Sequence, residues 1–124
     1  MRVLLSIKPE YAEKILGGEK KFEFRKVLFK DVNVKTVVIY ATKPVGKVIG
    51  EFDIAHILSE EPCTLWMMTK DFAGITRQFF DEYFCGRATG HAIKVNSPRR
   101  YEEPLELSVI VKSGVAPQSF CYLS

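Results

Sequence analysis

A small, mostly antiparallel β-barrel of α+β class, decorated with about three helices, is the fold that this 124-residue sequence predicts. Three observations carry the expectation. Several runs rich in Val, Ile, Phe and Tyr have strand length. Apolar residues at helical spacing occur near the N-terminus and in an adjacent pair of stretches mid-chain, not in alternation with the strands. A closed sheet would also leave no edge open to other chains. The length suits one core and is short for two, so residues 1–124 are read as a single domain.

Taken in order, residues 2–7 form a strand rich in Val, Leu and Ile. Pro9 then suits the first turn of a helix, where its missing N–H costs nothing. Tyr11, Ala12, Ile15 and Leu16 give that helix an apolar stripe, and Gly17-Gly18 end it. Residues 20–26 alternate as a second strand, with Phe22 and Phe24 on one face and Lys21, Glu23 and Arg25 on the other. Residues 36–42 are apolar on both parities, as in a strand buried on both faces. Residues 47–58 make a long strand in which Gly50 marks a bulge or a close backbone approach. Glu60-Glu61-Pro62 opens the first mid-chain helix, and Ile75, Phe79, Phe80, Tyr83 and Phe84 stripe the second. Residues 88–96 return to strand and are expected to stop at Ser97-Pro98. Leu105, Leu107, Val109 and Val111 then alternate as a further strand, and the tail around Phe120 could close the sheet.

Composition excludes some classes and leaves others open. No run approaches the roughly 20 apolar residues that cross a bilayer, and the opening residues are too short an apolar run for a signal peptide. A cytoplasmic chain beginning at Met1, with no membrane partner, is expected. Cys63, Cys85 and Cys121 form no CxxC pair, and His56 and His91 sit in no metal-ligand pattern, so neither a metal nor another cofactor is expected. The net charge is +3, but residues 1–52 hold eleven Lys/Arg against six Asp/Glu. That basic half could attract a phosphate backbone, or its lysines could simply solvate a surface.

The stretch Gly18 to Arg25 concentrates the candidate chemistry. Arg25 offers a planar fork for phosphate or a base edge, Lys20 a movable point charge, and Glu23 an acceptor between them. The same row could be a solvated charge ladder in which Glu23 relieves repulsion between cations. Lys8 could reach the same place from before the helix. Tyr40 and Thr42 could be buried hydrogen-bonding groups or line a pocket, and Gln118 and Ser119 could complete a cleft or close the barrel. Arg99-Arg100 is a weaker candidate for phosphate.

The segments Lys8-Pro9-Glu10-Tyr11-Ala12 and Gly18-Glu19-Lys20-Lys21-Phe22-Glu23-Phe24-Arg25 resemble the ASCH domain family of the PUA-like superfamily. The likeness continues through Tyr40-Ala41-Thr42, Val48-Ile49-Gly50-Glu51-Phe52 and Pro117-Gln118-Ser119-Phe120. The resemblance implies a pseudo-barrel with a cleft beside the helix-to-strand turn, in a superfamily whose relatives mostly bind RNA or modified bases. Some members look like transcriptional or translational regulators and others are hydrolases. One bacterial branch deacylates a modified cytidine with a lysine, a threonine three positions on and a later glutamate. Lys20 matches the lysine, but Glu23 stands where the threonine would be, and no later carboxylate aligns.

Three functional readings follow. In the first, an RNA- or modified-nucleotide-binding module uses Lys8, Gly18, Lys20, Lys21, Glu23, Arg25, Tyr40, Thr42, Gln118 and Ser119. The second is a metal-independent hydrolase, a ribonuclease or acylated-nucleoside amidohydrolase, with Lys20 and Glu23 catalytic. The third is a protein-interaction domain using an uncovered aromatic face at residues 75–84.

Overall fold

Proline and glycine set the first punctuation marks of the chain, as the sequence predicts. In a computed structural model, which describes residues 1–123, β1 (Arg2–Ile7) stops one residue before α1 (Pro9–Leu16). Gly17 closes the last turn, and Gly18 adopts φ +87°, which lets the N–H groups of Glu19 and Lys20 both donate to the Lys14 carbonyl. The chain then enters β2 (Phe22–Arg25).

The remaining elements are β3 (Thr36–Ala41), β4 (Lys47–Glu60), α2 (Pro62–Thr69), a 3₁₀ turn at Lys70–Phe72, α3 (Arg77–Tyr83), β5 (Gly90–Leu105), α4 (Leu107–Ile110) and β6 (Phe120–Leu123). The strands form one six-stranded sheet in the order β2-β5-β4-β3-β1-β6. Only the β1–β3 pair is parallel. The α+β class and the mostly antiparallel character are as expected, but the barrel does not close: β2 and β6 are its two edges.

Two local expectations are corrected. Ser97-Pro98 does not end a strand, because β5 absorbs it as a bulge between the Asp53–Asn96 and Glu51–Arg99 pairs, with Ser97 at φ +49°. The alternation from Leu105 to Val111 is not a strand either. Leu107 to Ile110 makes one helical turn, since β6 already pairs with β1 and an i, i+3 spacing puts Leu107 and Ile110 on the same core.

Three apolar clusters result. The main one packs α1 through Ala12 and Ile15 against Val3, Leu5, Val37, Ile39 and Phe52. A second holds Phe22 and Phe24 against Leu65, Phe80 and Phe84 of the mid-chain helices. The third, on the other side of β1 and β3, gathers Leu4, Val38, Tyr40, Val48, Leu107 and Leu123. Phe80 and Phe84 are thus buried, so the aromatic stripe of α3 does not present the uncovered face that the protein-interaction reading required.

Gly50 sits where β5 leaves no room for a side chain on β4: a Cβ there would meet the Arg99 carbonyl at 2.6 Å and the Arg100 Cα at 3.2 Å. Both obstacles are backbone and cannot swing aside. Gly50→Ala is therefore expected to lose about 1–3 kcal/mol of stability, measured as a lower urea midpoint with an unchanged slope.

Candidate functional site

The short strand β2 has two faces with different fates. Phe24 pairs across the sheet with Ala92 and faces the helical cluster, whereas Glu23 pairs with Ile93, a member of the main core beside α1. Glu23 and Arg25 therefore point inward under α1 and are not a solvated ladder: Glu23 is 6% exposed. They line a cavity of about 160 Å³ together with Lys8, Tyr11, Lys20 and Phe79. Ser6, Ile7, Phe24, Ile75 and Tyr83 complete its walls.

Arg25 closes one end. Its Nη1 donates to the Ser6 carbonyl at 3.3 Å and to Glu23 Oε2 at 3.3 Å, and its Nη2 donates to the Ser119 carbonyl at 2.6 Å. Ser6 lies on β1 and Ser119 just before β6, so one guanidinium joins the two ends of the open sheet. Three of its five N–H groups are thus spent on the protein, which leaves two for a ligand.

Lys20 forms the floor. It is 2% exposed, its Nζ donates to the Ala73 carbonyl at 2.6 Å, and it stands 4.8 Å from the Phe24 ring centroid and 5.5 Å from that of Tyr11. Burial lowers its pKa to about 8; the negative charge of Glu23 opposes that shift and the positive charge of Lys14 adds to it. Gly74, at φ +69°, lies against its stem, where a Cβ would come within 2.5 Å of Lys20 Cγ. The loop after the 3₁₀ turn thereby seats the amine.

Two side-chain oxygens of the cavity wall are without a partner among the described residues. Glu23 Oε2 is held by Arg25, while no described residue hydrogen-bonds Oε1, and no side-chain oxygen or nitrogen among the described residues is both sealed from solvent and unpartnered. Oε1 therefore faces the cavity. The Tyr11 hydroxyl is likewise without a partner among the described residues, and burial together with the nearby Glu10 and Glu23 charges raises its pKa. Tyr83 differs: its hydroxyl donates to the Phe24 carbonyl at 3.3 Å, and burial raises its pKa.

The candidates read from sequence divide accordingly. Lys8, Lys20, Glu23 and Arg25 meet at the cavity. Gly18 and Lys21 line a separate groove on the other side of Lys20. Tyr40 is 8% exposed in the third apolar cluster, across the sheet, and Thr42 follows β3 with its N–H donating to Ile7. Gln118 is exposed and Ser119 contributes only its carbonyl to Arg25. Arg99 and Arg100 pair with Glu51, Asp53 and Glu13. Sequence reasoning treated Tyr11 and Phe79 as core only. Tyr11 lies three residues after Lys8, a spacing that places both on one side of the helix start.

The fold is thus an open α+β sheet whose ends are pinned beside a cavity walled by lysines and aromatic rings. The chain belongs to the ASCH domain family, whose model matches residues 5–109. It is 31% identical over 122 residues to a Zymomonas mobilis protein named ASCH domain-containing ribonuclease, covering 97% of this chain and 82% of that one. The crystal structure of ASCH from Zymomonas mobilis superposes with a TM-score of 0.91 at 28% identity, over 99% of this chain and 87% of that chain. A similar match, 31% identical over 122 residues and 98% of this chain, is to an ATP synthase subunit alpha from Ureaplasma parvum, of which the chain spans 15%. Among the described residues no helix is long and apolar enough to cross a membrane.

Because the Lys20 pKa falls from 10.5 to about 8 on folding, the unfolded chain holds that proton more tightly between those values. Stability should accordingly rise with pH across the window, by about 1.4 kcal/mol per unit from this group. Lys20→Met is expected to remove that slope in urea unfolding between about pH 8 and 9.5, below the range in which tyrosines titrate. Arg25→Met should cost about 3 kcal/mol, because it strands the Glu23 carboxylate and frees the end of the sheet. Amide exchange should then accelerate in β6, and the double variant Glu23→Gln/Arg25→Met should recover part of the loss.

Proposed function

We infer that this ASCH domain binds RNA by taking one nucleotide of a single strand, plain or modified, into the cavity under α1. The observation that supports this most is Lys20, a cation kept almost wholly out of water by aromatic walls at a site with room for a ligand. Holding it there is costly unless an anion repays the cost. Lys20 and Lys8 would meet a phosphate, Tyr11 and Phe79 would pack against the base, and Glu23 Oε1 would accept from its exocyclic amine or from a ribose hydroxyl. The cavity, at about 160 Å³, is smaller than the roughly 300–1,000 Å³ of drug-sized sites, so it would take in part of the nucleotide and leave the rest at its mouth. Binding of this kind is sufficient for a regulator of transcription or translation.

A second reading is metal-independent cleavage of RNA, favoured by the open Glu23 oxygen facing a lysine and by the ribonuclease named among the relatives. Glu23 Oε1 would take the 2′-hydroxyl proton as that oxygen bonds to the adjacent phosphorus. The phosphorus–5′-oxygen bond would break, with the Lys20 ammonium stabilising the added charge and giving the departing oxygen a proton. The departure of Glu23 from the amidohydrolase pattern makes deacylation of a cytidine the weaker form of this reading.

Fluorescence titration with a labelled oligoribonucleotide tests the first reading. Wild type should bind, and Lys20→Met should lose at least tenfold in affinity while remaining folded; the same affinity in both would remove the cavity from the function. If the wild type also cleaves the oligonucleotide, the rate should fall as pH rises above about 8, where Lys20 loses its proton. Lys20→Arg should then shift that alkaline limb upward, and Glu23→Gln should lower the rate by about 10²-fold or more.

A further inference from the structure

Lys20 is a shared wall. On one side it faces the cavity, and on the other a groove of about 280 Å³ lined by Lys21, Lys94, Asn96, Ser97 and Pro98. Lys21 and Lys94, like most of the described lysines, have no carboxylate within ion-pair distance, whereas Arg77, Arg99 and Arg100 are paired. No Asp or Glu lines the groove, and the neighbouring Glu19 and Asp71 are exposed. The two lysines are also held in place: Lys21 Nζ stands 4.4 Å from the Phe72 ring centroid and Lys94 Nζ 4.9 Å from that of Phe22.

The groove's far rim is the β5 bulge, where Ser97 is the one described non-glycine residue with positive φ, at +49°. Phe72, 47% exposed, lies beside Lys21 and carries its ammonium over the ring. Two lysines and no carboxylate along one groove suit a phosphodiester strand, whereas a free nucleoside would need neither.

We propose that the Lys21–Lys94 groove carries the phosphates flanking the nucleotide in the cavity, so that the protein recognises a polynucleotide strand and not an isolated nucleotide. This rests on the cavity being the nucleotide site and adds the direction in which the strand leaves it. The groove contributes electrostatic affinity that is indifferent to sequence, and each phosphate contact made there adds about 0.7 to the slope of log affinity against log salt for a single strand.

The test compares a 2′-O-methylated oligocytidylate of about ten nucleotides, which resists cleavage through the 2′-oxygen and keeps the exocyclic amine, with cytidine 5′-monophosphate. Binding of each is titrated at several salt concentrations. Lys21→Gln/Lys94→Gln should reduce the oligonucleotide's salt slope by about 1.4 and leave the mononucleotide affinity unchanged. Lys21→Arg/Lys94→Arg should restore the slope, and Lys30→Gln/Lys112→Gln, which removes the same charge elsewhere, should leave it as in wild type. An unchanged slope in the groove variant, or an equal drop in the distant control, overturns the groove while the cavity reading stands. Failure of wild type to bind either probe at low salt overturns the cavity reading, and the groove with it.

Discussion

The guanidinium of Arg25 is the contact on which the arrangement depends. An open sheet leaves two unpaired edges, and here the first edge strand is only four residues long. The side chain of its last residue reaches across to carbonyls from both β1 and the segment entering β6. Charge-assisted hydrogen bonds of this kind are worth about twice a neutral one, and these are shielded from water on a side chain only 12% exposed. The same group holds one oxygen of Glu23 and so leaves the other aimed inward. Closure of the fold and construction of the cavity are therefore the same event.

Against that frame, Lys20 is an expense. An ammonium almost out of water is compensated by one carbonyl, two aromatic rings and the Glu23 charge, and this is insufficient to keep its proton affinity at the ordinary value. Apolar replacements of such groups are often neutral or stabilising. A positive-φ glycine, Gly74, leaves the room that the lysine's stem occupies.

Much of the fold could be read from residues because local patterns agreed with the final packing. The limits of β1 and α1 follow from Pro9 and the paired glycines, and the short strand after Phe120 was also recognisable. The errors fall where tertiary contacts overrode a local signal. Ser97-Pro98 has the residues of a stop, yet cross-strand pairing on both sides carries β5 through it as a bulge. Leu107 to Ile110 fits two periodicities over so short a span, and the occupied edge of β1 decided between them. Tyr40 and Thr42 were plausible pocket groups by residue type alone, but strand parity and the end of β3 carried them away from the cavity.

Composition and punctuation were enough to establish an α+β chain with a basic N-terminal half, and the glycine-to-arginine stretch, with the segments that continue its likeness, was enough to point to the family. These are properties of neighbours along the chain, fixed by backbone sterics and the two side-chain periods. Tertiary structure alone decided that the sheet stays open and that Arg25 is a clasp. It also decided that Tyr11 and Phe79 wall the cavity and that Lys20 is buried enough to lose proton affinity. Those outcomes come from pairings across 53 residues for Lys20 and Ala73 and 94 for Arg25 and Ser119. Burial and charge in that setting depend on what packs against a residue, and no local pattern specifies it.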